Sequence, residues 1–247
     1  MKEKKKVHFI DPFRFINPRL DSDLSRLHEL LGASPAKIET LQEGLWVMCS
    51  KLLELSDTLY KSFVLPDEKK FSRGKVLAEE VHDEEKTLTA HLVRSPSDST
   101  ALLKELILFP GRLERVGDLL ESVLKASMIK ARDGIPFSEN AMGELEQLSG
   151  VFTNMLSTLR DVLATCDRGS LDHLLSQHGL LAQMTLDFAS AHEDRLIEGI
   201  CSPRASSLYL DILDSVRNAN RHLRSITEGL MRIACSAEMI GELRTEG

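Results

Sequence analysis

The feature that most constrains this chain is an apolar run near its C-terminus that alternates in steps of four and three without a fault. It comprises Ile212, Val216, Ala219, Leu223, Ile226, Leu230, Ile233, Ala237 and Ile240. Side chains at this spacing line one face of a helix, and so long a seam needs other helices to cover it. At 1.5 Å per residue, a helix over 205–243 is on the order of 55 Å long. Three further seams follow the same rule. Ile38, Leu41, Leu45, Met48, Leu52, Leu55 and Leu59 form one, opened by Ser34-Pro35 as cap and first helical residue. Ala141, Leu145, Leu148, Phe152, Met155, Leu159 and Val162 form another, with Ser138 as its cap. Leu102, Leu106, Phe109, Leu113, Val116, Leu120 and Val123 predict a helix over 100–132, kinked at Pro110, which lacks a backbone donor.

Between these seams lie two helices of mixed character. One runs over 75–94, where Leu77, Val81 and Leu88 alternate with Glu84 and His91. The other runs over 171–199, where His178, Thr185 and His192 interrupt Leu174, Leu181 and Phe188. Polar residues at core positions need partners once buried. LPDEKKFSRG, SPSDS, ARDGIP, CDRGS and CSPRAS punctuate the six helices, and nothing reads as a strand. Ser34 and Ser138 are 104 positions apart, and Leu113 and Val216 are 103 apart, so the halves keep register as an internal repeat. The expected fold is all-α: two tandem antiparallel three-helix bundles over 21–133 and 134–247, preceded by an arm over 1–20.

At 247 residues the chain is long enough to bury roughly 70–75% of its unfolded surface. A formal net charge of −7 without a basic stripe argues against nucleic acid as a partner. Cys49, Cys166, Cys201 and Cys235 are scattered, as reduced thiols of a cytoplasmic protein are. No apolar run reaches the 18 residues of a membrane span. The N-terminal MKEKKKVHF is basic but lacks the apolar stretch of a signal peptide. With Phe9, Phe13 and Phe15 it could lie on an anionic membrane surface or a partner; the plainer reading is an arm tucked onto the bundle.

Phosphate-loop, dinucleotide-binding, nucleophile-elbow and zinc-protease motifs are all missing. SRGK at 72–75 is too short for a phosphate loop and reads as a turn. A di-iron bundle needs Glu-x-x-His on two helices, and only Glu79-x-x-His82 occurs.

One stripe remains, in RLERVGDLLESV. Glu114, Asp118 and Glu121 form a row of carboxylates beside the seam, although like charges at this spacing repel by roughly a few tenths of a kcal/mol. Glu114 and Asp118, one turn apart, can face one cation, and hard oxygens suit magnesium, calcium, manganese or iron. The acidic run EEVHDEE on the preceding helix could add Glu80, His82, Asp83 or Glu84. Asp187, His192, Glu193, Asp194 and Glu198 occupy a comparable stretch of the second half. The plainer reading is a solvated face neutralised by Arg112 and Arg115.

Glu114-Arg115-Val116-Gly117-Asp118 resembles the signature of the PhoU family of phosphate-transport regulators. KARDGIPFSENAMGEL and HEDRLIEGICSPRASSLYLDIL are similar to the PhoU-like domains of bacterial sodium–phosphate cotransporter proteins, and the resemblance covers about residues 25–243. It implies two tandem three-helix bundles, Glu114 and Asp118 as ligands of a surface metal (iron, manganese, zinc or magnesium), and Gly117 as a position of close approach. In the second half the acidic positions become Arg217 and Arg221, which with Arg224 suit an anion or a partner contact. Pairing with Asp194 or Glu198 is the plainer expectation for them; Asp214 and Asn218 keep an offset version of the acidic spacing.

The resemblance implies a non-enzymatic regulator of phosphate uptake or phosphate signalling that contacts a phosphate transporter or a sensor kinase, and the uninterrupted seam over 212–240 adds self-association as an expectation. It would reach the membrane only peripherally, through that partner or the arm. The rival readings are a carboxylate-bridged metalloenzyme and a metal-free helical adaptor.

Overall fold

The computed structural model describes residues 35–93, 100–165 and 167–245, with side chains over 38–92, 100–165 and 167–236. The arm at 1–20, the Ser34 cap, the SPSDS break and Cys166 lie outside the described residues, as do the side chains of the seam positions Ala237 and Ile240. Seven helical segments follow in order: α1 (Pro35–Val64), α2 (Glu68–Val93), α3 (Ala101–Leu106), α4 (Phe109–Arg132), α5 (Glu139–Thr165), α6 (Arg168–Ile197) and α7 (Pro203–Thr245). Among the described residues there is no strand, and no helix is long and apolar enough to cross a membrane.

The fold is all-α, as the seams require, with three local departures. The helix expected over 100–132 is broken rather than kinked: α3 stops at Leu106, and Leu108 N–H turns back to the Glu105 carbonyl. Pro110 falls in the first turn of α4, where its missing donor costs nothing. SRGK is not a turn but lies inside α2, which begins at Glu68. A Cβ on Gly74 would stand 2.8 Å from Leu124 Cδ2, so this glycine lets α2 lie close against α4. Finally, Leu92 is buried on α2 while His91 is exposed, its ring bonded to the Thr87 carbonyl at 3.2 Å.

α2 packs on α1 and α4, and α6 packs on α5 and α7. The halves join through α1 against α5 and α4 against α7. Both crossings are antiparallel. Gln42 donates to the Leu163 carbonyl at 2.6 Å while Ser56 meets Thr153 at 2.9 Å. Arg232 pairs with Glu105, and Arg112 donates to the Ser225 carbonyl at 3.0 Å. One cluster of buried aliphatic side chains runs through all seven segments. Removing such residues from water is the main favourable contribution to folding.

Candidate functional site

Three groups of side chains stand out from this frame: the acidic stripe of α4, the basic stretch of α7, and a polar network under the loops that open α5 and α7.

The stripe is an ion-paired face. Arg115 spans it, 3.1 Å from Asp118 and 3.8 Å from Glu114, and Lys125 takes Glu121 at 3.0 Å. Arg112 turns to α7 instead. His82 reaches across from α2, its Nδ1 3.2 Å from Glu114 Oε1. The rest of the acidic run does not join it. Glu80 and Glu84 each lie 3.8 Å from Lys51, and Asp83 lies 3.7 Å from Lys86. A Cβ on Gly117 would stand 3.3 Å from Val81 Cγ1, so this residue does sit where α4 and α2 approach closely. The donor chemistry of Glu114, Asp118 and His82 suits a divalent or iron cation. The arrangement opposes one, because Arg115 already bridges both carboxylates. Among the described residues, no three His, Cys, Asp or Glu side chains are grouped to hold an ion.

On α7 the arginines pair within their own helix rather than with Asp194 or Glu198. Arg217 bonds Asp214, Arg221 bonds Asn218 at 3.2 Å and Arg224 bonds Glu228 at 2.8 Å. The offset pair Asp214 and Asn218 thus serves the arginines. Burial, reinforced by Arg112 and Arg115, holds the His222 imidazole below its ordinary pKa.

The polar residues that interrupt the α6 seam are in the core. His178 is buried, with Nδ1 2.6 Å from Asn220 Oδ1 and Nε2 2.9 Å from Thr227 Oγ1. Thr185 donates to the Ala182 carbonyl at 2.8 Å. Arg195 grips Glu144 of α5 through two 2.7 Å hydrogen bonds, and the Tyr209 hydroxyl of α7 donates to the same carboxylate. Desolvation and that hydrogen bond push the tyrosine pKa far up, keeping it a neutral donor.

His192 stacks on Tyr209, ring centroids 4.5 Å apart, but is 1% exposed and both of its nitrogens lack a hydrogen-bond partner. It points into the core, away from the exposed Glu193, Asp194 and Glu198. The ring lines a cavity of about 260 Å³ between the connections before α5 and before α7. Sequence reasoning flagged His178 and His192 as seam interruptions, but not Glu144, Arg195, Tyr209 or the cavity. Their partners are 51 and 65 residues apart, beyond any local pattern.

No protein-family model matches the sequence. No curated protein matches it. Solved structures do. The phosphate transport system regulatory protein PhoU from Streptococcus pneumoniae superposes with a TM-score of 0.69 at 15% identity, over 80% of this chain and 95% of that one. PhoU from Pseudomonas aeruginosa gives 0.68 at 14% identity, over 81% and 98%. The chain therefore has the PhoU fold over about four-fifths of its length.

Proposed function

We propose that this PhoU-fold protein is a non-enzymatic regulator of phosphate uptake or phosphate signalling. It acts by contact between its helix faces and a phosphate transporter or the associated sensor kinase. The supporting observation is the fold match across nearly the whole of two PhoU structures, one of them named as the regulatory protein of a phosphate transport system. The Glu114–Asp118 stretch on α4 adds to it. Within this proposal the protein is cytoplasmic, self-associates, and meets the membrane through its partner. The two halves, over 21–133 and 134–247, are taken as tandem three-helix units that share one core.

The faces offered to a partner are the paired charges of α4 and α7, where Arg115, Asp118, Arg221 and Arg224 are exposed. Exposed ion pairs contribute roughly 0–1 kcal/mol each and rearrange readily on docking, which suits a regulatory contact. Metal binding at Glu114 and Asp118 is a separate proposal, supported by the approach of His82, and it requires Arg115 to leave both carboxylates. Affinity purification of the tagged protein from cross-linked cells tests the partner. The proposal expects a phosphate-transporter component or its kinase. Recovery of only unrelated proteins contradicts it.

A further inference from the structure

The cavity beside His192 lies outside the charged faces assigned to partner contact. Its wall is built where two helices begin. Ser138 opens α5, its hydroxyl accepting Ala141 N–H at 3.2 Å; Ser202 opens α7, accepting Ala205 N–H at 3.2 Å. All four residues line the cavity, so the ends of both helices face it. Each serine satisfies one first-turn donor, which leaves the N–H groups of Glu139 and Asn140 in α5 and of Arg204 in α7 without a partner inside the helix, Pro203 having none to offer. Helix N-termini carry partial positive charge and favour anions.

The second observation is His192 itself. An imidazole buried with neither nitrogen paired is costly, and such a group calls for a partner that occupies the space beside it. Of its neighbours, the Tyr209 hydroxyl and both Nη groups of Arg195 are committed to Glu144, while Arg195 Nε is buried without a partner like the ring itself. One water needs about 10–15 Å³ of such space, far less than the cavity offers. Phe137, Ile200 and Tyr209 give the remaining wall an apolar character that fits a small carbon body.

We propose that this cavity binds a small oxyanion, a phosphate or carboxylate group, between the N-terminal ends of α5 and α7 and the ring of His192. Burial and Arg195 hold the imidazole pKa below its ordinary value, against the opposing pull of Glu144 and Glu193. A bound anion favours the doubly protonated ring, which then offers two donors. Binding is therefore coupled to proton uptake and strengthens as pH falls. This site stands independently of the regulatory role proposed above.

The test uses the full chain. Histidine ring signals are followed by NMR while inorganic phosphate, acetate or chloride is added, at several pH values. In parallel, mass spectrometry follows alkylation at Cys201, which lines the cavity, with the partly exposed Cys235 as reference. The expected result is a shift of the His192 signal, a raised His192 pKa and several-fold slower alkylation at Cys201, with Cys235 unchanged. A response to phosphate alone identifies a phosphate site, and a response to acetate alone a carboxylate site. The response is lost in His192→Gln, with helical content confirmed by circular dichroism. If neither phosphate nor acetate moves the His192 signal or protects Cys201 beyond chloride, the cavity holds water only and the proposal is overturned.

Discussion

His178 and Asn220 hold each other reciprocally across the α6–α7 contact. The ring Nδ1 donates to the Asn220 side-chain oxygen at 2.6 Å, and the Asn220 amide donates back to the His178 carbonyl at 3.0 Å. The amide's own donation fixes which end faces the ring, and so places the imidazole proton on Nδ1. Asn220→Ala strands that buried donor, at a cost of about 1–3 kcal/mol. Urea unfolding of the variant measures this; an unchanged midpoint would show the pair to be energetically idle.

The same histidine makes stability fall with acid. Desolvation holds the pKa of His178 below its ordinary value in the folded state, and burial acts likewise on His192 and His222. The unfolded chain therefore takes up protons that the folded chain refuses. That stability is present above the unfolded pKa and is lost as pH falls through and below about 6.5, the ordinary histidine value. The unfolding midpoint should drop over this window, and His178→Gln should flatten the dependence. A midpoint that rises on acidification contradicts the assignment.

Among the described residues, Arg195 and Glu144 form the most enclosed ion pair, with side chains 9% and 12% exposed. Glu144→Ala leaves a guanidinium and the Tyr209 hydroxyl unpaired in the core. Breaking a buried pair from one side costs about 3–5 kcal/mol, and the residual exposure here favours the lower end. Chemical denaturation checks it, and a loss below about 1 kcal/mol, the range of surface pairs, would contradict the reading.

Burial pushes the Cys49 thiol up to about 12, while Cys201 and Cys235 are partly exposed. Under native conditions alkylation should mark Cys201 and Cys235 and spare Cys49, because the thiolate is the reactive form. In denaturant Cys49 should react as well. Early native labelling at Cys49 would show that α1 is not packed as described.

The metal proposal is checked by elemental mass spectrometry of the purified protein beside the Glu114→Ala/Asp118→Ala variant. A stoichiometric divalent or iron signal, lost in the variant, supports a ligand row. Its absence from both proteins leaves the stripe as the ion-paired face that Arg115 and Lys125 make of it.

The apolar periodicity exposed the helices because each seam residue reports its own burial: Leu45, Leu113, Leu148 and Ile226 are all in the core. It misjudged KKFSRG, whose charged residues and glycine suggested a turn. There Gly74 serves helix packing, a tertiary demand invisible in a local pattern. It also carried one helix through Pro110, since the seam continues in phase across the break. The stripe at Glu114 and Asp118 was legible as a row of carboxylates. Its pairing with Arg115 depends on side-chain positions that spacing alone does not carry. His192 showed as a polar interruption, but the cavity beside it depends on two loops meeting in space.

The regulatory account is tested most directly by phosphate uptake in a strain lacking this protein, measured with and without the restored chain, alongside a reporter of phosphate starvation. The account predicts altered uptake or altered starvation signalling, reversed on restoration. Unchanged uptake and unchanged signalling in the deletion strain would contradict it.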